Sequence, residues 1–279
     1  MFSKLGSLKF GVSVVVGCAA LASACSELDK SRTEDFSSTE QSVLGKTFGT
    51  HDAESYQNTW QANLIGADTA VSRMNSVLGT TSFWYDLAGK QFYWYDSGDQ
   101  ATNSVDTVDM FVTFTHGGIT STDAMWAMWD DPVIAYSRQM RLGDESVGTS
   151  IFAQSSCETL ASDANTWTRW KEIFKGGLRV AVGSHDILLW GSTKFDVLKV
   201  YAQYLNVGWA VGDSWAAGWS VNDSQDEDVA VWASGNSTNS GMSNCAYRRD
   251  SITWNNHTTY PRLRDGDATQ MCGWLWTDL

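Results

Sequence analysis

Two short apolar runs in the chain each end in a reactive side chain. Residues 108–115 are almost continuously apolar or β-branched, and a His-Gly-Gly sequence that begins at His116 follows them. Residues 151–153 form a second apolar run, which is followed by small polar residues and then Cys157. Such runs are typical of parallel strands that are buried on both faces of a sheet. The pattern predicts two buried strands, each of which delivers one reactive side chain at its carboxyl end.

The remaining apolar positions alternate between the spacing of helices and that of strands. Spacings of three and four residues predict helices at 60–78, 160–174, 195–205 and 208–219. Apolar and β-branched runs predict strands at 42–50, 178–183 and 229–233, and an aromatic hairpin or bent strand at 83–95. We expect a short helix at 123–129 within the long connection between the first two strands. Strands that alternate with helices indicate an α/β fold with a mainly parallel sheet.

The N-terminus has the features of an export signal. Two lysines flank the start of an apolar run at residues 10–21, which is too short for a stable membrane span. An Ala-Ser-Ala cleavage sequence ends at residue 24, so residues 1–24 are predicted to be a signal peptide. Cys25 then stands where bacterial lipoproteins carry their lipid. We expect an exported protein, either an outer-membrane lipoprotein or a periplasmic or secreted one, with membrane contact only through a lipid on Cys25.

Composition divides the mature chain into three parts. An acidic, serine-containing stretch at residues 25–41 is predicted to be a flexible tether. Residues 42–234 are predicted to form one folded domain, since only two prolines occur and no proline-rich linker interrupts the chain. Residues 235–279 are polar and are predicted to be an irregular extension packed on the same domain.

Charge and aromatic content restrict the possible partners. The net charge of −13 comes from 32 acidic and 19 basic residues. Such a surface repels phosphate groups, so we exclude nucleic acid as a partner. The 15 tryptophans are expected to pack in the core and at its rim, and a stacking surface for sugars or peptides is the alternative.

One cysteine has no predicted structural role. Of the five cysteines, Cys18 is removed with the signal peptide and Cys25 is the lipid attachment point. Cys245 and Cys272 lie in one segment and can form a disulfide outside the cytosol. Cys157 is then unpaired, and an unpaired cysteine in an exported protein indicates a reactive thiol.

His116 and Cys157 have the chemistry of a catalytic pair. Ligands gather beyond the carboxyl ends of the strands in open parallel sheets, and both residues are predicted to lie at such ends. A cysteine needs a neighbouring base to become a nucleophilic thiolate, and histidine is the usual base. The N–H groups of Gly117 and Cys157 can form an oxyanion hole. We assign no metal and no cofactor.

Other polar groups are predicted near the same edge of the sheet. His185-Asp186 and His51-Asp52 follow predicted strands, where they can line a substrate pocket or form simple polar turns. A zinc site from His116, Cys157 and His185 is a weaker alternative, because no close-spaced zinc motif supports it. The acidic run at residues 223–228 is expected to be a solvated loop.

The order of these motifs resembles the caspase-like (clan CD) cysteine peptidase superfamily, and most closely its bacterial CHAT and gingipain-type branches. Residues 155–159, SSCET, resemble the S-A-C-E-T block of CHAT domains, and residues 176–182, GGLRVAV, resemble their G-A-R-A-V-V strand. The likeness covers residues 108–219 and includes two closing helices. It implies a three-layer α/β sandwich, with His116 as base, Cys157 as nucleophile and Gly117 as oxyanion donor. Residues 154–158, QSSCE, depart from the caspase Q-A-C-x-G block, so caspase specificity for acidic residues is not implied.

We therefore expect an exported cysteine endopeptidase, or a member of an uncharacterised bacterial family on that fold, that acts on a peptide or protein. A catalytically silent module of the same fold, which binds peptides or glycans, is the alternative. A glycan-active protein is a third hypothesis, and it depends only on the tryptophan content and the acidity.

Overall fold

The fold was determined as a computed structural model, which describes residues 46–53, 64–79, 82–86, 105–127, 134–144, 148–188, 190, 194–220, 227–236, 241–277 and 279. These residues all belong to one compact unit, which runs from Ser42 to Leu279. The predicted signal peptide, Cys25 and the tether lie outside the described residues. None of the helices in the described ranges has the length and apolar character needed to span a bilayer.

Two sheets are formed by the described residues. The strands are β1 (Phe48–Asp52), β2 (Phe83–Asp86), β3 (Met110–Phe114), β4 (Gly117–Ile119), β5 (Ala124–Ala127), β6 (Ile134–Tyr136), β7 (Ile151–Ser155), β8 (Val180–Ser184), β9 (Val229–Gly235) and β10 (Gln270–Trp276). The central sheet has seven strands in the order β10-β9-β8-β7-β3-β1-β2, and β4, β5 and β6 form a smaller sheet. Neighbours are parallel from β2 to β8, whereas β9 is antiparallel to both β8 and β10. The predicted α/β fold with a mainly parallel central sheet is confirmed.

Helices cover both faces of the central sheet. They are α1 (Ala67–Leu78), α2 (Thr166–Gly176), α3 (Val197–Asn206), α4 (Val211–Ser220) and α5 (Cys245–Ser251). On the first face, Met110, Val112 and Phe114 of β3 join one apolar cluster with α1, α3 and α4. On the second face, Phe111 joins another apolar cluster with α2. Because side chains alternate along a strand, a strand buried on both faces must be apolar nearly throughout, which explains the run at 108–115.

Buried tryptophans fill much of both apolar clusters. Trp126 lies against Phe152 and Trp170, with ring centroids 5.5 and 5.9 Å away. The buried indoles also find acceptors, since Trp126 Nε1 donates to Gln154 Oε1 at 3.0 Å. The fully buried tryptophans are Trp126, Trp170, Trp215, Trp219 and Trp254. For these residues the predicted core-packing role is confirmed.

The short helix expected at residues 123–129 is wrong, because Ala124–Ala127 forms strand β5. Ala124 and Trp126 join the second apolar cluster, whereas Met125 between them is half-buried. This alternation of two is the pattern of a strand that lies with one side on a core. β5 pairs with β4, which begins directly after His116, so the connection shapes the surroundings of the predicted site.

The C-terminal segment from residue 235 is not irregular as expected. It contains α5 and the edge strand β10, which pairs with the whole of β9. Cys245 and Cys272, the pair that the sequence offers for a disulfide, are bonded and join α5 to β10. Gly273 interrupts the apolar run of β10, and a Cβ there would lie 2.2 Å from the Trp232 ring. Glycine within a strand usually indicates an interruption of the strand. Here it leaves space for the Trp232 indole on the neighbouring strand.

Two other predicted elements differ from the structure in their boundaries. The helix predicted at 160–174 begins only at Thr166, because the N–H of Leu160 bonds to the carbonyl of Ser184 in β8 instead. Of the helix predicted at 60–78 and the hairpin predicted at 83–95, residues 60–63 and 87–95 lie outside the described ranges.

Candidate functional site

His116 and Cys157 follow the carboxyl ends of two neighbouring parallel strands. β3 and β7 pair with a constant offset of 41 residues. The offset continues one step beyond the strands, where Thr115 Oγ1 lies 3.3 Å from Ser156 Oγ. His116 and Cys157 are the residues that directly follow Thr115 and Ser156. The structure therefore brings together the two strand ends on which the predicted pair depends.

Gly117 packs closely against the segment that carries Cys157. A Cβ atom on Gly117 would lie 2.7 Å from the carbonyl oxygen of Cys157, and 2.8 Å from both Ser156 Cβ and Thr159 Cγ2. No side chain fits at such distances, so only glycine allows the two backbones to approach. The predicted oxyanion role of the Gly117 and Cys157 N–H groups remains a prediction.

Cys157 is a half-buried free thiol on the first face of the sheet. Its Sγ lies 3.7 Å from the carbonyl oxygen of Leu188. The next residue, Glu158, has a φ of 55°, which is uncommon for a residue other than glycine. Its N–H donates to the carbonyl of Asp186 at 2.9 Å. The chain thus turns sharply after Cys157 in a conformation that is found preferentially at functional sites.

Burial raises the pKa of the Cys157 thiol. The carboxylates of Glu158 and Glu227 raise it further, because negative charge disfavours a neighbouring thiolate. The resting thiol is therefore protonated at neutral pH. A base has to remove its proton before the sulfur can attack a carbonyl group.

His116 is half-buried and is anchored to the smaller sheet. Its carbonyl accepts the N–H of Ala127 in β5 at 2.9 Å. His116 lies between the last residues of the β3 segment and β4, which begins at Gly117. Cys157 packs against the apolar cluster on the first face.

A buried ion pair, whose carboxylate acts on the thiol, lies on the same side of the site and is not visible in any local sequence pattern. Lys194 Nζ lies 3.5 Å from Glu227 Oε1, and the two side chains are 2% and 1% exposed. The ammonium also lies 5.6 Å from the centroid of the Trp219 ring. Glu227 belongs to the acidic run that was predicted to be a solvated loop, and for this residue the prediction is wrong. Residues 223–226 of that run lie outside the described part of the chain.

His51 and Asp52, the predicted pocket residues at the end of β1, lie on opposite faces of the sheet. Asp52 lies opposite Phe114 and is fully buried, and the strand alternation puts it on the first face, with Cys157. His51 is on the second face by the same alternation. Burial lowers the pKa of His51 to about 4, so its imidazole is neutral at neutral pH.

His185 and Asp186 hold the turn beside Cys157. The His185 ring accepts the N–H of Ser162 at 2.9 Å, and the carbonyl of Asp186 accepts the N–H of Glu158. In the described ranges, no group of three His, Cys, Asp or Glu side chains could hold a metal ion. The weaker zinc alternative, which needed His185 beside Cys157, therefore has no geometric support.

Exposed apolar side chains border the thiol. Ile187 is 58% exposed and comes directly before Leu188, whose carbonyl contacts Cys157. Ile65 is 69% exposed, and its carbonyl accepts the Trp190 indole N–H at 3.0 Å. Trp190 in turn packs edge-on against Phe114 at 4.2 Å, at the end of β3.

The fold and the site define an α/β protein with a cysteine and a histidine at neighbouring strand ends on one edge of a mainly parallel sheet. The chain belongs to the family described as Domain of unknown function (DUF6345), whose model matches residues 47–278. The match includes both strand ends and extends through β10. No curated protein matches the chain.

Proposed function

We propose that the chain is an exported cysteine endopeptidase of caspase-like fold, in which Cys157 is the nucleophile and His116 the base. In this proposal the α/β sheet is the centre of a three-layer sandwich, and the substrate is a peptide or protein. The observation that carries the proposal is the shared offset of β3 and β7, which continues beyond the strands to Thr115 and Ser156, the residues directly before His116 and Cys157.

The proposed reaction proceeds through an acyl-enzyme. His116 takes the proton of the Cys157 thiol, and the sulfur adds to the carbonyl carbon of the scissile amide. Collapse of the tetrahedral intermediate breaks the C–N bond, and His116 returns the proton to the leaving amine. Water, deprotonated by His116, then hydrolyses the thioester. The raised pKa of Cys157 suits a base that acts during the attack rather than a thiolate that exists at rest.

Two neighbouring groups support the reaction in this proposal. The backbone N–H groups of Gly117 and Cys157 stabilise the oxyanion of the intermediate. Asp52 is the carboxylate that orients His116 in this proposal, because it is buried and lies opposite Phe114, two residues before the histidine.

The exposed residues near the site favour a substrate that has apolar side chains next to the scissile bond. Ile65 and Ile187 are exposed on the border of the site, where apolar groups of a bound peptide would cover them. The half-buried Glu158 and the exposed Asp186 add negative charge at the same border. We therefore propose a preference for peptides that combine apolar and basic residues.

A proteome-derived peptide library tests the proposal. We expect wild-type protein to generate new peptide termini, which mass spectrometry identifies, and to show a common apolar preference near the cleavage point. Cys157→Ala is the matched control and should generate none. Identical termini in wild type and Cys157→Ala would contradict the proposal, and so would a wild type that cleaves nothing.

A catalytically silent binding module is the second candidate, and one observation favours it. Burial and two carboxylates oppose ionisation of Cys157, as expected for a cysteine that serves only in packing. This candidate predicts that Cys157→Ala binds peptides or glycans as tightly as wild type, which titration calorimetry measures. A binding loss in Cys157→Ala would count against it.

A further inference from the structure

Two arginines are buried at the amino end of the sheet, away from the edge that carries Cys157. Arg179 lies directly before β8 and Arg248 lies in α5, and the two residues are 4% and 0% exposed. Within the described chain, their hydrogen-bond acceptors are carbonyl and hydroxyl oxygens, and neither forms an ion pair with a carboxylate. Both charges are therefore held without a direct counter-ion.

The two guanidinium groups converge on one short segment. Arg179 Nε donates to the carbonyl of Tyr260 at 2.8 Å, and Arg248 Nη1 donates to the carbonyl of the next residue, Pro261, at 2.8 Å. Burial, and then Arg262, lower the pKa of Arg179 to about 10. Burial, and then Arg179, lower the pKa of Arg248 to about 9. Both groups stay protonated at neutral pH, so two like charges act on each other in a buried site.

One edge of the Arg248 guanidinium has no acceptor among the residues that the structure describes. Its Nη1 donates to the carbonyls of Met242 and Pro261. Its Nε and Nη2 are buried, and no described residue accepts their hydrogens. These two nitrogens carry three of the five N–H bonds of the group. The N–H bonds on the Nε side form the parallel fork that arginine uses to bind anions.

The carboxylate of Asp109 does not complete this site. Asp109 acts on Arg179 through space, but its oxygens already accept from other groups. Asp109 Oδ1 lies 3.3 Å from His257 Nε2, and Oδ2 accepts the Thr47 N–H at 2.8 Å. A buried charge without a partner is strongly destabilising, and carbonyl acceptors satisfy hydrogen bonds without neutralising it.

We propose that Arg248, with Arg179 beside it, holds a small inorganic anion of the size of chloride. The free fork of Arg248 supplies the hydrogen bonds, and the second guanidinium supplies charge. The anion is small because Arg248 is completely enclosed. Since α5 also carries Cys245 of the disulfide, the anion helps to fix the C-terminal segment against the sheet.

Thermal unfolding of the purified protein in sodium chloride and in sodium gluconate, at equal ionic strength, tests the proposal. An anion that binds only the native state stabilises it in proportion to ln(1 + [L]/Kd). We expect a melting temperature several degrees higher in chloride, a rise that saturates with concentration, and the same effect in bromide. Equal melting temperatures in both salts would overturn the proposal, since water would then satisfy the fork.

Arg248→Met should lose the difference between the two salts. Arg138→Met is the matched control and should retain it, because the Arg138 side chain is 57% exposed and already pairs with the Asp123 carboxylate. If Arg248→Met does not fold, broadening of the chloride-35 resonance by wild-type protein, reversed by bromide, provides the test. A chloride effect that persists in Arg248→Met, or the absence of broadening, would refute the site.

Discussion

Gly117→Ala is the substitution that tests the contact between the two strand ends. The added methyl would lie 2.7 Å from the Cys157 carbonyl oxygen and 2.8 Å from Ser156 Cβ and Thr159 Cγ2. Two of these three atoms belong to the backbone or lie next to it, so a side-chain rotation cannot relieve the clash. Overpacking of this kind costs about 1–3 kcal/mol. We expect Gly117→Ala to fall in the upper part of that range and to slow any reaction of Cys157.

The neighbouring glycine provides the matched control. A Cβ on Gly118 would meet only Met125 Cε, at 3.6 Å, which is an ordinary contact. Gly118→Ala should therefore change the free energy of unfolding by less than about 1 kcal/mol. Urea unfolding followed by tryptophan fluorescence measures both variants. If the two alanine variants were equally stable, the backbones of Gly117 and Cys157 would not be in contact, and the proposed dyad would lose its geometric basis.

Three further substitutions probe charges around the sheet. Glu227→Gln should lower the pKa of Cys157, since the Glu227 carboxylate raises it. The pH profile of thiol alkylation measures this shift. An unchanged profile would place the carboxylate away from the thiol. Asp106→Ala should destabilise the fold by at least about 3 kcal/mol, because the buried carboxylate accepts three backbone N–H groups, and urea unfolding should show this loss. Hydrogen bonds from Arg169 hold the pKa of Asp163 below its usual value. The ionised carboxylate therefore stabilises the fold above its unfolded pKa of about 3.9. This stabilisation is lost as the pH falls through the lower pKa of the folded state. Between pH 5 and 3, roughly one unit either side of the unfolded pKa, Asp163→Asn should therefore lose less stability than wild type. Parallel acid-unfolding curves for the two proteins would refute this role of Asp163.

The apolar pattern alone predicted the strands that carry the site. β3 and β7 lie at the centre of the sheet, and a strand covered on both faces has to be apolar at nearly every position. The ends of such runs are visible in the sequence, so His116 and Cys157 could be assigned to strand ends. Their common offset depends on how β3 pairs with β7, which no local pattern encodes.

The local apolar pattern does not show β5, β10 or the burial of Glu227. β5 has four residues, and β10 has seven but lies at the edge of the sheet. Neither is a continuous buried apolar run, because half-buried or exposed positions and, in β10, Gly273 interrupt it. Glu227 lies in a run of acidic residues that normally favours water. In the fold it is buried and pairs with Lys194, which is distant in sequence, at 3.5 Å. Pairing of this kind is a property of the tertiary fold.

The rate at which iodoacetamide alkylates Cys157 near neutral pH tests the proposed dyad most directly. Burial raises the thiol pKa, so without a base this cysteine should react more slowly than in the unfolded chain. We predict that mass spectrometry of the Cys157 peptide will show faster alkylation in the native protein than in the denatured one. We also predict that His116→Ala removes the acceleration. A native rate below the denatured rate, unchanged by His116→Ala, would contradict the dyad.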